Sequence, residues 1–569
     1  MSLVVVSNRV ARAKANEPMT GGLAAALLPV VENSGAIWVG SSGSVRDSMS
    51  KDPFAKIEAL GSGALAMLDL PAAHYGGYYE GFANSALWPA LHSRGDLIRA
   101  SHDDYNSYRE VNAFVARSLI RFCKPDTSFW IQDYHFLALG AELRQRDVHQ
   151  PIGFFLHTPW PTRNIIDGVP HHRELIEAML AYDLIGFQTD EDRDNFIDYL
   201  KVEMGLVVTA GTVTSSYGTS RLATFPIGID VERFSAQAAK AAMHPDVSRL
   251  RRSLHGEKLA IGVDRLDYSK GLINRINAFD RMLSLQPSLS RAVSLLQIAT
   301  PSRGMIEAYG NLQADVAKLV SDVNGRHGEV DWTPIRYLNK GFSQTVLAGL
   351  YRTALVGVVT PLQDGMNLVA KEYVAAQNPA DPGVLVLSKF AGAANELDAA
   401  LLVNPNDIDG MARKIATAFS MPAPERRMRW ESMMTKLRAG TIEKWFTDFI
   451  EALEDAHAAR EGKGSAGLIP DPGLCGLSQR RPVRDITSNA SSASSGFGKS
   501  CEGGRDVPVD RSPEWHDQIG DTIEPFPAPR IEFGRLSVAD RERIDLVVAT
   551  GEPQRKPFLP LATEARQTM

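Results

Sequence analysis

The amino-acid sequence predicts an α/β protein made of two doubly wound, Rossmann-like sheets with a cleft between them. Three observations lead there. Short apolar runs alternate with amphipathic stretches through residues 1–460, the pattern of parallel strands joined by crossover helices. Several of those runs are apolar at consecutive positions, as strands covered on both faces are. Finally, this length exceeds one core, since single cores stop growing at about 250–300 residues.

In chain order the expected strands are Leu3–Ser7, Ala36–Gly40, Ser128–Ile131, Ile152–Leu156, Leu184–Phe187, Leu222–Phe225, Leu259–Val263, Ser294–Ile298, Leu355–Thr360 and Val384–Leu387. The first begins Leu-Val-Val-Val, without the basic start or long apolar stretch of a secretory signal, so it reads as a buried strand. Helices are expected over Asn106–Phe122, where Tyr108, Val111, Val115, Leu119 and Phe122 share a face, and over Glu191–Lys201, Gly271–Leu285 and Gly304–Val320. The periodic stretch Arg426–Ala456 is long enough to cross back over both halves.

Phe225-Pro226-Ile227-Gly228-Ile229-Asp230 ends a strand in Pro and Gly ahead of polar sequence. It divides the chain into an N-terminal domain, 1–228, and a C-terminal one, 229–460. Residues 461–569 hold 11 of the 32 prolines and the low-complexity run Ser488–Gly496. Such a segment has too little to bury to offset its ordering entropy, so it reads as a mostly disordered tail. One short helix or strand is expected within it at Leu536–Ala549, and truncation near residue 460 is expected to leave a folded core.

Composition removes several classes. With 61 basic and 67 acidic side chains the net charge is −6, so no concentrated basic face for nucleic acid is expected. No run of about 18 apolar residues offers a membrane span. Three cysteines, Cys123, Cys475 and Cys501, make neither a disulfide framework nor a multi-cysteine zinc site. No H-E-x-x-H or carboxylate-cage spacing calls for a metal, and neither a G-x-S-x-G elbow nor a Walker loop is present. What remains is a cytoplasmic enzyme that acts on small molecules.

Four polar clusters sit at strand ends, where this architecture binds ligands. In Ser7-Asn8-Arg9-Val10, followed by Thr20-Gly21-Gly22-Leu23, a strand delivers Arg9 and a Gly pair opens a helix. A guanidinium and exposed N–H groups make an anion site, although an ordinary surface arginine and helix-entry turn fit as well. In Asp264-Arg265-Leu266-Asp267-Tyr268-Ser269-Lys270-Gly271, two cations precede a helix and can converge on a diphosphate. Asp264 and Asp267 could instead pair with them in a structural loop.

The third cluster, Thr360 to Glu372, places Asp364 at a turn, Asn367 as an N-cap, and the amides of Asn367, Leu368 and Val369 toward a phosphate. Glu372 could hold two ribose hydroxyls. The fourth joins Trp130-Ile131-Gln132-Asp133-Tyr134-His135 to Phe154-Phe155-Leu156-His157-Thr158. A lone histidine after Phe-Phe-Leu is more often a satisfied structural residue, but two neighbouring strand ends offering Asp133 and His157 to one rim shift the balance toward a sugar site.

Together with Leu87-Trp88-Pro89 and Thr300-Pro301-Ser302-Arg303, these stretches strongly resemble the trehalose-6-phosphate synthase family of retaining glycosyltransferases, through nearly all of residues 1–455. The resemblance implies a GT-B fold, with the acceptor bound by the N-terminal domain and the sugar nucleotide by the C-terminal one. It implies transfer of glucose from UDP-glucose to glucose 6-phosphate, giving α,α-trehalose 6-phosphate and UDP. By the same resemblance Arg9, Tyr79, Trp88, Asp133 and Arg303 form the acceptor site. Gly22, Arg265, Lys270, Asp364, Leu368, Val369, Ala370, Lys371 and Glu372 bind the donor, with Phe342 giving backbone contacts to uracil and His157 meeting the transferred glucose. Arg265, Lys270, His157 and Asp364 carry the catalytic assignment.

One position departs. The family reads Trp-x-His-Asp-Tyr-His, whereas Gln132 stands at the first histidine. Gln keeps hydrogen-bonding ability but cannot carry charge, which bears on the fine shape of the acceptor pocket. The expected partners are a nucleotide sugar and a sugar phosphate, with no cofactor, metal, nucleic acid or membrane; self-association into a homo-oligomer stays open. The alternatives are a sister transferase acting on glycerol 3-phosphate, as a glucosylglycerol-phosphate synthase does, and a catalytically silent sugar-phosphate sensor.

Overall fold

The computed structural model describes residues 2–10, 22–47, 52–302 and 307–465. The tail beyond Ser465, with the element expected at Leu536–Ala549, lies outside the described residues. Ten strands form the first sheet. They are β1 (Ser2–Arg9), β2 (Ile37–Arg46), β3 (Phe54–Leu60), β4 (Gly63–Pro71), β5 (Thr127–Gln132), β6 (Ile152–Phe155), β7 (Leu184–Phe187), β8 (Val208–Thr209), β9 (Thr212–Ser215) and β10 (Gly218–Thr224), in spatial order 3-4-2-1-5-6-7-10-9-8. Antiparallel pairing is confined to its two ends, β3 on β4 and the β8–β9–β10 meander.

The second sheet is wholly parallel, in order 13-12-11-14-15-16, from β11 (Lys258–Arg265), β12 (Val293–Thr300), β13 (Ile335–Leu338), β14 (Val356–Val359), β15 (Val384–Ser388) and β16 (Leu401–Val403). Each expected strand is present. The six added ones were hidden for physical reasons. β3 and β4 are rich in Ala, Leu and Met, good helix formers held extended by their neighbours, and β8 and β16 have two and three residues. Parallel register sets Val5 beside Trp130 and Gln132 beside Phe155, so Arg9, Asp133 and His157 leave the sheet at the same edge.

The stretch expected as a single helix, Arg426–Ala456, is two helices, Ala423–Ala439 and Ile442–Ser465. The chain breaks at Gly440-Thr441, where Thr441 forms a bridge with Ile229. A Cβ on Gly228 would collide with the Gly440 carbonyl, so two backbones cross here at a distance only glycine permits. The last helix then lies on the first sheet. Trp445 and Phe449 stack on Trp130 with ring centroids 4.7 and 5.0 Å away, and a Cβ on Gly153 or Gly186 would sit within 2.8 Å of the Phe449 ring. A single apolar cluster therefore runs from Trp130 and Phe155 through Trp445 and Phe449 to Tyr373 and Leu387 of the second half.

The same helix is pinned by charge. Asp183, fully buried, accepts from Arg144 Nη2 at 2.8 Å, Arg460 Nη1 at 2.9 Å and the Ile152 amide at 2.8 Å. Burial would raise its pKa, but His457 and the two guanidiniums hold it below the usual carboxylate range. The helix that carries Arg460 runs on to Ser465, so a cut there keeps it whole. Arg460→Ala is expected to lower stability by about 1–3 kcal/mol, whereas a chain ending at Ser465 keeps the full value. Denaturant unfolding of the two proteins checks this.

Candidate active site

The loop after β11 and the turn after β14 are knitted together. The Leu362 amide donates to the Ser269 carbonyl at 2.7 Å, and Lys270 Nζ lies 2.6 Å from Asp364 Oδ2. Arg275, fully buried one turn into the helix Leu272–Leu285, donates to Asp264 at 2.5 Å, Thr360 Oγ1 at 3.0 Å and the Lys270 carbonyl at 3.3 Å. A Cβ on Gly262 would lie 2.6 Å from the Arg275 Nη1, so that strand position must stay bare. Burial would raise the Asp364 carboxyl, yet the Lys270 ammonium beside it holds it below its ordinary value. Asn367 caps the helix Leu368–Ala376 and also donates to Asp364 at 2.9 Å.

Across the cleft, Arg265 and Trp88 meet. Arg265 donates to Ser302 Oγ at 3.2 Å and Asp267 at 3.3 Å, and its guanidinium stands over the Trp88 ring, 5.2 Å from the centroid. Trp88 follows a π-helical segment, Gly76–Leu87, that also carries Tyr79, whose ring stacks on Tyr75 and His135. Such i→i+5 segments are rare and occur most often at functional sites. His92 stacks under Trp88 at 4.0 Å with Nδ1 donating to its carbonyl at 2.8 Å; burial pushes its pKa down to about 4.

Asp133 follows β5 with φ 73° and ψ 168°, a conformation almost reserved for glycine that costs about 1–3 kcal/mol. It accepts the His157 amide at 3.2 Å, and Gln132 Oε1 accepts from His157 Nε2 at 2.8 Å. Burial lowers the His157 pKa to about 3, so the ring is neutral. A Cβ on Gly365 would collide with the His157 carbonyl, which places the Asp364-Gly365 turn of one half directly on His157 of the other.

The structure thus gathers Arg265, Lys270, Asp364, Trp88, Asp133, His157 and the start of the Leu368–Ala376 helix. Arg9 is exposed at the end of β1, its guanidinium running past Gly43, and Gly22 opens the helix Gly22–Ser34. Arg303 lies outside the described residues, as do Thr20 and Gly21. Phe342 is partly buried below the Lys340 ammonium, 5.1 Å from its ring centroid. Two members of the donor set are committed elsewhere. The Ala370 amide is held by the Asn367 side chain at 3.2 Å, and the buried Lys371 ammonium sits on the Ile227 carbonyl and Glu396, each at 2.7 Å.

Of the two alternatives for the phosphate loop, Asp267 does pair with Arg265, while Asp264 pairs with Arg275, a residue the sequence reading did not single out. His92 was also missed. Its signal was the four-residue spacing from Trp88, which stacks side chains on successive helical turns.

Residues 3–455 match the model of glycosyltransferase family 20. A trehalose-6-phosphate synthase from Sinorhizobium fredii is 45% identical over 454 residues, covering 79% of this chain and 98% of its own. Among solved structures, an α,α-trehalose-phosphate synthase (UDP-forming) from Burkholderia xenovorans in complex with glucose-6-phosphate superposes with TM-score 0.77 at 43% identity, over 79% of this chain and 99% of that one. An E. coli structure bound with UDP-2-fluoro glucose gives TM-score 0.75 at 40% identity, over 80% and 99%.

Proposed function

The chain belongs to glycosyltransferase family 20, and we infer from that premise that it transfers glucose from UDP-glucose to glucose 6-phosphate, giving α,α-trehalose 6-phosphate and UDP. The observation that carries this reading is the Arg265–Trp88 contact. A cation of the diphosphate loop lies on a ring of the acceptor pocket, so a departing diphosphate and an incoming hydroxyl meet at one place. In our reading Arg9 and Arg303 grip the acceptor phosphate, with Tyr79, Trp88 and Asp133 around its ring. Arg265, Lys270 and the amides of Leu368 and Val369 face the donor diphosphate, Phe342 the uracil, and Glu372 the ribose.

The anomeric configuration is retained by front-face attack. The acceptor O1–H bonds to C1 of the donor glucose as the C1–O bond to the β-phosphate breaks, and the hydroxyl proton passes to the phosphate oxygen that leaves. Asp364, Asp267 and Asp264 are each paired with a cation, and Asp133 holds an amide, which favours this route over a carboxylate nucleophile. Catalysis is then positioning plus stabilisation of the departing diphosphate by fixed positive charge, and this reading calls for no metal or other cofactor.

Nucleotide release from UDP-, GDP- and ADP-glucose, with and without glucose 6-phosphate, tests the assignment. UDP release that depends on glucose 6-phosphate, with a product of disaccharide-phosphate mass, is expected; release indifferent to it overturns the reading.

Glu372 adds a pH dependence. Burial pushes its carboxyl up to about 7, with Gln344 opposing. Two ribose hydroxyls need the carboxylate as acceptor, so protonation competes with the donor. UDP-glucose affinity is expected to hold above pH 7 and to weaken below it, by up to about tenfold per pH unit. Calorimetric titrations at pH 6 and pH 8 check this, and Glu372→Gln should bind more weakly with the pH dependence gone.

A further inference from the structure

We propose that Gln132 is a positioning residue that fixes His157 as the tautomer with its proton on Nε2, leaving Nδ1 as an acceptor for a hydroxyl of the transferred hexose. The inference rests on the reading above that His157 meets that hexose. A carbonyl oxygen only accepts, so the 2.8 Å contact between Gln132 Oε1 and His157 Nε2 requires the proton on Nε2. A neutral ring then carries its lone pair on Nδ1, and the ring is neutral because it is buried.

The geometry holds the ring from three sides. Gln132, fully buried at the end of β5, takes one nitrogen. Phe155 packs edge-on at 4.7 Å and Trp445 of the last helix lies at 6.0 Å. The backbone amide is tied to Asp133, so consecutive residues 132 and 133 fix the ring and the main chain of His157 separately.

Gln132 is placed for this task and not merely packed. Its Nε2 is buried with no acceptor among the described residues, which leaves Oε1 as the side chain's one paired polar atom there. A buried orphan donor is costly, and an apolar residue of similar length would avoid that cost if filling space were the whole role. A histidine here could itself gain or lose a proton and so exchange the roles of the paired nitrogens. Gln cannot ionise, and with Oε1 turned to the ring it holds the proton on Nε2 across pH.

The test compares Gln132→Met, which keeps the length but removes the acceptor, with Gln132→Glu, which keeps an acceptor at the same reach. Nitrogen-15 NMR of the His157 ring in the unliganded protein reports the tautomer, independently of whether any sugar is transferred. The expected result is an Nε2–H ring in the wild type and in Gln132→Glu, and a mixed ring in Gln132→Met. With that mixture, kcat should fall by about tenfold, the worth of one misaligned hydrogen bond, while the KM for glucose 6-phosphate stays unchanged. A wild-type ring protonated on Nδ1 overturns the proposal. So does a Gln132→Met protein whose tautomer is unchanged, or one whose tautomer changes without loss of kcat. A wild-type protein that releases no UDP from UDP-glucose with any acceptor would instead remove the functional reading, and the ring spectrum would still report on Gln132.

Discussion

Replacing Lys270 by Ala is expected to lower kcat by on the order of 10²–10³, the loss typical when a fixed stabiliser of developing negative charge is removed. Lys270 sits 2.6 Å from Asp364 with both side chains largely buried, so its ammonium is held in place before any ligand arrives. One of its three N–H bonds serves Asp364, and among the described residues no other acceptor takes the remaining two. Removing it has a second consequence. Asp364 keeps Asn367 but loses its cation, and an uncompensated carboxylate then faces the place we propose for the donor's phosphates.

The donor should therefore bind weakly as well as react slowly. In Lys270→Ala/Asp364→Asn the repulsion is gone but the stabiliser is still missing. UDP-glucose affinity should recover in part while kcat remains low. Calorimetry and initial rates on both variants, with thermal unfolding as a control, separate the two effects. Near-normal kcat in the single variant would remove Lys270 from its role.

The parts of the fold legible in the sequence are those where the environment is uniform. A strand covered on both faces is apolar along its covered stretch, as Leu259–Val263 of β11 and Val356–Val359 of β14 are, and it reads as such. The edge strand β3 turns Ala55, Ile57 and Ala59 to water and so lacks the alternation of a half-buried strand, and the π-helical Gly76–Leu87 has no pattern distinct from an α-helix. At the site, charged residues following apolar strands were visible because nothing else explains polarity there. Their pairings were not. Asp264 adjoins Arg265 in sequence, yet its partner is Arg275, eleven positions on, because strand alternation turns Asp264 inward to where the next helix passes. Lys371 adjoins Glu372, but the 100° turn between helix neighbours sends its ammonium to Ile227 at the segment joining the halves.

That joining has a sharp test at Gly365. The residue is bare because the His157 carbonyl occupies the space a Cβ would need, and the obstacle is backbone, which cannot swing aside as a side chain can. His157 cannot retreat easily either, since its amide is bound to Asp133 and its ring to Gln132. In Gly365→Ala the turn carrying Asp364 must move, by on the order of 1 Å, and a displacement of that size at a reacting centre costs about 10²-fold in rate. Kinetics should show the loss in kcat with UDP-glucose, with a smaller change in the KM for glucose 6-phosphate.

In the proposed mechanism the two large effects share one cause, the placement of the diphosphate against the acceptor. They should therefore not add. Once Lys270 is gone the Asp364 turn no longer holds the cation we propose as catalytic, and Gly365→Ala should cost the Lys270→Ala protein less than it costs the wild type. Full additivity in that double-variant cycle would mean that the turn acts on His157 alone and that the contact between the two halves does not set the position of the leaving group.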